Sequence, residues 1–184
     1  MKNKMSAIGL VLFIGLGSYV VPARAISDET EVRGVVERVF QQLRSRQYGS
    51  LYDVLPQNSQ SRISRERFTS MLEQTSDIYD LDRMEIGKVR TSGDMAAVDT
   101  VMYGRIRKPI NGDAKLVVQQ YLVREGGRWR IATGDRATVR RFLAANPAFG
   151  KNFPIREPRA YIKRDGRWVD VSSLVKSASR KRAG

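Results

Sequence analysis

Neither cysteine nor histidine occurs in this chain of 184 residues. Without cysteine there is no disulfide framework, no thiol nucleophile and no iron–sulfur ligand set. Without histidine, the usual zinc sites and any catalytic triad with an imidazole base are excluded. Carboxylates remain as ligands for calcium or magnesium, but no acidic loop has EF-hand spacing. No metal and no cofactor is therefore implied. Hydrophobic residues make up 41% of the chain, enough for a packed core, and the length suits one domain with additions. With no covalent cross-link, stability must come from that core.

Acidic residues are scarce in the last quarter. From Arg136 to Gly184, 13 Lys/Arg face 3 Asp/Glu, whereas from Ile26 to Asp135 the counts are 17 and 16. Most of the net charge of +14 therefore belongs to a basic C-terminal extension, with Arg180, Lys181 and Arg182 as its densest cluster. An anionic envelope surface is the partner this suggests, since each cation near such a surface gains about 1 kcal/mol. The plainer reading is a solvated tail that aids solubility. No nucleic-acid recognition motif accompanies the charge, so nucleic acid is not expected.

Long apolar runs are missing except at the start. "MKNKMSAIGLVLFIGLGSYVVPARA" opens with Lys2 and Lys4, continues through Met5–Val21, and ends in Ala23-Arg24-Ala25. That is the order of a secretory signal peptide, with cleavage expected after Ala25. An uncleaved anchor is the alternative, although the run is at the short limit of a span of ~20 residues. The mature chain is then expected to begin at Ile26 and to be secreted or periplasmic.

After Ser27, which reads as a helix cap, Val32, Val35, Val36, Val39, Phe40 and Leu43 form one helical stripe. Leu51, Tyr52, Val54 and Leu55 suggest a short helix stopped by Pro56. Ser64 reads as the cap of a further helix that buries Phe68, Met71 and Leu72, with Ile63 and Phe68 as a staple. From Leu81 the period becomes two. Ala96, Val98, Thr100 and Met102 alternate with Ala97, Asp99, Val101 and Tyr103. Asn111-Gly112 marks a hairpin, Leu116–Val123 reads as a strand, and Gly126-Gly127 turns it into a strand carrying Trp129 and Ile131. Helices followed by antiparallel strands predict an α+β fold.

Two stretches echo each other, "REGGRWRI" at 124–131 and "KRDGRWVDV" at 163–171. Both read as hairpins in which Trp packs inward and the cations face water. They do not belong to a longer repeat. Between them, Val139, Phe142 and Leu143 share one side of a short helix ended by Pro147. "AFGKNFPIREPR" reads as a connector pinned by Phe149 and Phe153, and the second hairpin as an appendage packed on the body or on a partner.

The element order, the first amphipathic helix followed by "YGSLYDVLP", and the closing "YLVREGGRWRI" resemble the nuclear transport factor 2-like (cystatin-like) superfamily over about residues 30–135. The chain thus divides into a signal peptide at 1–25, a domain at 26–135 and a basic extension at 136–184 with a β-hairpin; for the domain, the resemblance implies an α+β fold with N-terminal helices on a curved, cone-like antiparallel sheet. It implies an inner pocket, for which Tyr48, Tyr52, Met102 and Trp129 are the candidate lining, and it allows a sheet-to-sheet homodimer. Some members of the superfamily are isomerases or lyases, using an acidic base and a Tyr or Asp donor. Here Asp99, Tyr103 and Tyr121 are the catalytic candidates, provided burial raises the Asp99 pKa. The alternation of Asp99 with Val98 and Thr100 points instead to a solvated face. A non-catalytic envelope module holding a small apolar ligand or an envelope protein is favoured over a cofactor-free isomerase or lyase.

Overall fold

The computed structural model describes residues 23–108, 111–133 and 136–174. The signal segment up to residue 22 and the Arg180–Arg182 cluster lie outside them. Helix α1 runs from Ala23 to Arg44, so Ser27 falls within the helix and not at its cap. Its stripe is buried as the spacing requires: Val32, Val36, Val39 and Phe40 are fully covered, and Val35 and Leu43 pack at the margin. Short helices α2 (Tyr48–Tyr52) and α3 (Gln57–Gln60) follow, separated by Pro56. Helix α4 spans Arg65–Glu73, and the Ser64 hydroxyl accepts a hydrogen bond from the Arg67 N–H at 3.3 Å. Phe68 and Leu72 face the core, but Met71 points to solvent, contrary to the expected buried side.

Six strands form one antiparallel sheet: β1 (Tyr79–Ser92), β2 (Met95–Ile106), β3 (Gly112–Glu125), β4 (Arg128–Ile131), β5 (Arg159–Arg164) and β6 (Arg167–Asp170). The order is β1-β2-β3-β5-β6, with β4 also paired to β3. The far edge of β3 is thus shared. Its Leu122–Glu125 end pairs β4, and its Ala114–Val117 end pairs β5. Two register shifts in β1, at Leu81/Arg83 and Ile86/Val89, curve the sheet. At its free edge β1 is capped by α1, because Arg33 donates to the Ile86 and Gly87 carbonyls and Arg44 to that of Asp82.

The second hairpin therefore continues the sheet and is not an appendage upon it. Its turn, Asp165-Gly166, has positive φ at both residues, as a type I′ turn requires. The preceding segment is also more helical than expected. Helix α5 (Arg136–Ala145) is followed by α6 (Pro147–Asn152), where Pro147 begins a second helix as well as ending the first.

These two helices give the sheet a second cover. On the inner face, Ala96, Val98, Leu122, Trp129 and Ile131 pack against α1, Tyr48 and Leu51. On the outer face, Met95, Ala97 and Tyr121 pack against Val139, Phe149, Phe142 and Leu143. This is why Met95–Val98 is buried without alternation: helices lie on both sides.

Candidate functional site

Cross-strand register sorts the candidate residues by face. Val98, Thr100 and Met102 point inward, opposite Gln120, Val118 and Leu116; Ala97, Asp99, Val101 and Tyr103 point outward, opposite Tyr121, Gln119, Val117 and Lys115. Of the four residues expected to line an inner pocket, Tyr48 and Trp129 meet in the inner core. Tyr52, at the other end of α2, is turned toward α3 and α4, its hydroxyl donating to the Gln60 and Ile63 carbonyls at 2.9 and 3.0 Å. Its ring stands edge-on to Phe68. Met102 is further along β2, opposite Met84. Trp129 is 4% exposed, with the Arg124 guanidinium 4.5 Å from its ring centre. Arg124 in turn pairs with Asp28 at the start of α1. The inner face is occupied by the chain's own side chains.

Asp99 and Tyr121 belong to one polar cluster on the outer face. The Arg90 guanidinium donates to Asp99 Oδ2 at 2.5 Å, and Gln119 Nε2 donates to Oδ1 at 3.4 Å. The Tyr121 hydroxyl donates to Gln119 Oε1 at 2.7 Å and to the Pro154 carbonyl at 3.2 Å. Arg156 reaches Asp99 Oδ1 at 3.8 Å. The hydrogen bond from Arg90 outweighs desolvation and holds the Asp99 carboxyl below its ordinary range, opposite to what a general base would need. Burial raises the Tyr121 phenol. A groove of about 550 Å³ adjoins this cluster, lined by Asp99, Val117, Gln119, Arg156, Glu157 and Arg159.

Tyr103 stands apart from Asp99, further down the same face. Its hydroxyl bonds Glu85 Oε2 at 3.1 Å, and the Arg83 guanidinium lies 3.7 Å from its ring centre. Register continues this row as Arg83, Tyr103, Lys115, Tyr161 and Asp170, one residue from each of five strands. Trp168 joins it, edge-on to Tyr103 at 6.3 Å. Its indole is 38% exposed, and the neighbouring Val117 37%. A second groove of about 470 Å³ borders Tyr103 and Trp168. Among the described residues the lower half of the outer face is thus open, while α5 and α6 cover the upper half.

No protein-family model and no curated protein matches this chain. Among solved structures, it is similar to a SEC-C motif-containing protein from Rhodopseudomonas palustris (TM-score 0.40, 9% identity, 50% of this chain and 68% of that one). It is also similar to a protein provisionally assigned as an NTF2-like transpeptidase from Campylobacter jejuni (0.39, 9%, 54% and 94%). A third is an NTF2-like protein of unknown function from Pseudomonas putida (0.41, 17%, 58% and 82%).

Arg90, Gln119, Lys115 and Tyr161 were not among the candidates that the sequence offered. Counting outward from the Gly93-Asp94 turn places Lys88 opposite Asp99; the register shift after Val89 removes that pairing and leaves Arg90 to reach the carboxylate. Lys115 and Tyr161 meet only because β5 joins β3, a pairing across more than forty residues. Among the described residues no group of acidic side chains converges as a metal site requires, and no helix is long and apolar enough to cross a membrane.

Proposed function

We propose that this chain is a secreted or periplasmic, non-catalytic binding module of nuclear transport factor 2-like type, working through the outer face of its sheet. The reading rests on one observation: the inner face is packed with Val32, Val98, Leu122 and Trp129, while the lower outer face leaves Val117 and Trp168 open to solvent. An envelope protein or polymer suits such a face better than a small apolar ligand held inside. The basic extension adds attraction to an anionic surface. A second copy applied face to face is an alternative occupant of the same area.

Native mass spectrometry of protein purified from its own envelope tests this reading. A mass beginning at Ile26, with the chain in a complex, is expected. A chain that retains Met1 and carries no partner would count against both export and binding.

The isomerase or lyase reading has one observation in its favour, the Asp99–Gln119–Tyr121 cluster beside a groove. The Arg90 pair makes Asp99 a poor proton acceptor. Accordingly, Asp99→Asn is expected to leave partner binding intact. An isomerisation or elimination that is abolished by this substitution would favour the enzyme instead.

A further inference from the structure

The open row on the outer face combines three kinds of group in one place. Lys115 Nζ lies 5.0 Å from the Tyr161 ring centre and 4.8 Å from that of Trp168. Lys163 is the register partner of Trp168 on the next strand. Among the described residues, no carboxylate is within salt-bridge distance of either ammonium. The charged lining of the groove beyond Trp168 is Asp80, Asp82 and Asp113 with Arg83, Arg105 and Lys163, the cation of Lys163 standing on the Trp168 side. Its volume, about 470 Å³, is within the range of small-ligand sites. The rings stand on paired strands, and the Tyr103 hydroxyl is tied to Glu85, so little ordering is required on binding.

Each group selects a chemistry. An indole face with negative charge density takes the slightly positive C–H face of a sugar ring. Two ammonium groups with no salt bridge among the described residues, of which Lys115 also feels the Glu85 carboxylate, take a carboxylate. Carboxylates and a guanidinium around a groove take hydroxyls as donors and acceptors. A purely apolar ligand would leave the ammonium groups and carboxylates unanswered, and a simple anion would leave Trp168 unused. We infer that the Tyr103–Lys115–Trp168 platform is a binding site for an acidic glycan, with a uronate-type ring stacked on Trp168 and its carboxylate on Lys115 and Lys163. The inference rests on the binding-module reading and names its ligand.

The test uses the whole purified protein titrated with oligogalacturonate, with neutral malto-oligosaccharide of equal length, and with inorganic phosphate. Binding is followed by calorimetry and by Trp fluorescence. Oligogalacturonate is expected to bind at least about tenfold more tightly than the neutral sugar, because the charge-assisted hydrogen bonds to the two ammonium groups are lost with the latter. Trp168→Ala and Lys115→Gln are each expected to weaken it by roughly tenfold, while Trp168→Phe retains part of the affinity. Circular dichroism and the unfolding midpoint show whether each variant is folded. Unchanged affinity in both folded variants, equal affinity for the neutral sugar, full competition by phosphate, or no binding would each overturn the inference. If the native complex from the envelope survives Trp168→Ala while oligogalacturonate fails to bind, the glycan site is wrong and the binding module stands. If both are absent, the module reading fails with it.

Discussion

Trp129 and Trp168 follow the same Gly-Arg pair and have opposite environments. Trp129 lies between the sheet and α1; Trp168 lies on a strand that no helix covers among the described residues. Replacing Trp129 by Ala is expected to cost about 3–5 kcal/mol, the range for a large aromatic removed from a core. Trp168→Ala removes a partly exposed ring with its contacts to Lys115 and Tyr103, and is expected to cost about 1–2 kcal/mol. Urea denaturation of the two variants measures the difference directly. The echo in the sequence reported hairpin geometry correctly, since glycine at positive φ is a local requirement. It could not report burial, which depends on what packs against the strand. Asp99 gives a second test at this scale. Its folded pKa is lowered by Arg90, so its contribution is fully present above the unfolded value of about 3.9 and is lost as pH falls through the lower folded value. Asp99→Asn is therefore expected to be less stable than the parent at pH 7. The gap should close in strongly acidic solution when both proteins are melted across pH.

At the level of elements, two glycines make opposite predictions. Gly34 lies within α1, and a Cβ there would meet nothing within 4 Å. Gly34→Ala is expected to stabilise the protein by about 0.5–1 kcal/mol, since alanine loses less entropy in a helix. Gly104 lies in β2 opposite Leu81, beside the first register shift. A Cβ there would come within 2.1 Å of the Asp80 carbonyl and 3.2 Å of the Leu81 Cα. Both are backbone atoms, so Gly104→Ala must push β1 away, at an expected cost of about 1–3 kcal/mol or more. Thermal melting of both variants checks the signs. Helix α1 and the strands were legible because their periods of 3.6 and 2 reflect burial on one face. The start of α1 was not, because a Ser followed by acidic residues suits a cap but also tolerates the helix interior. Nor was α6, six residues containing a glycine, which packs through Phe149 and not through any periodic stripe. Gly87 sits inside the second shift of β1, but one glycine in a strand does not fix the register, and the register decides which cation meets Asp99.

For the whole molecule, the segment after Asp135 matters more than its charge suggests. A boundary at 135 follows the change in composition, and an extension that acted only on a partner could be removed with the body still folded. In the folded chain, however, α5 and α6 cover Met95, Ala97 and Tyr121 on the outer face, and β5 takes up Ala114–Val117 on the edge of β3. Removing 136–184 would expose that apolar area and unpair that part of the edge at once. Uncovered strand edges and apolar patches favour association over a unique fold. The truncated chain, residues 26–135, is therefore expected to unfold at a lower urea concentration, with a broadened transition and increased binding of an apolar dye, which marks exposed hydrophobic surface. A midpoint and slope equal to those of the longer chain would mean that the outer layer adds nothing to folding. The extension would then be free to act solely on a partner. A shifted midpoint would mean that the basic charge is carried by a segment the fold itself requires, so any loss of surface binding on its deletion could not be assigned to charge alone. Charge-reversal at exposed Arg164 and Arg167, which leaves the hairpin and both helices in place, is the substitution that separates the two roles.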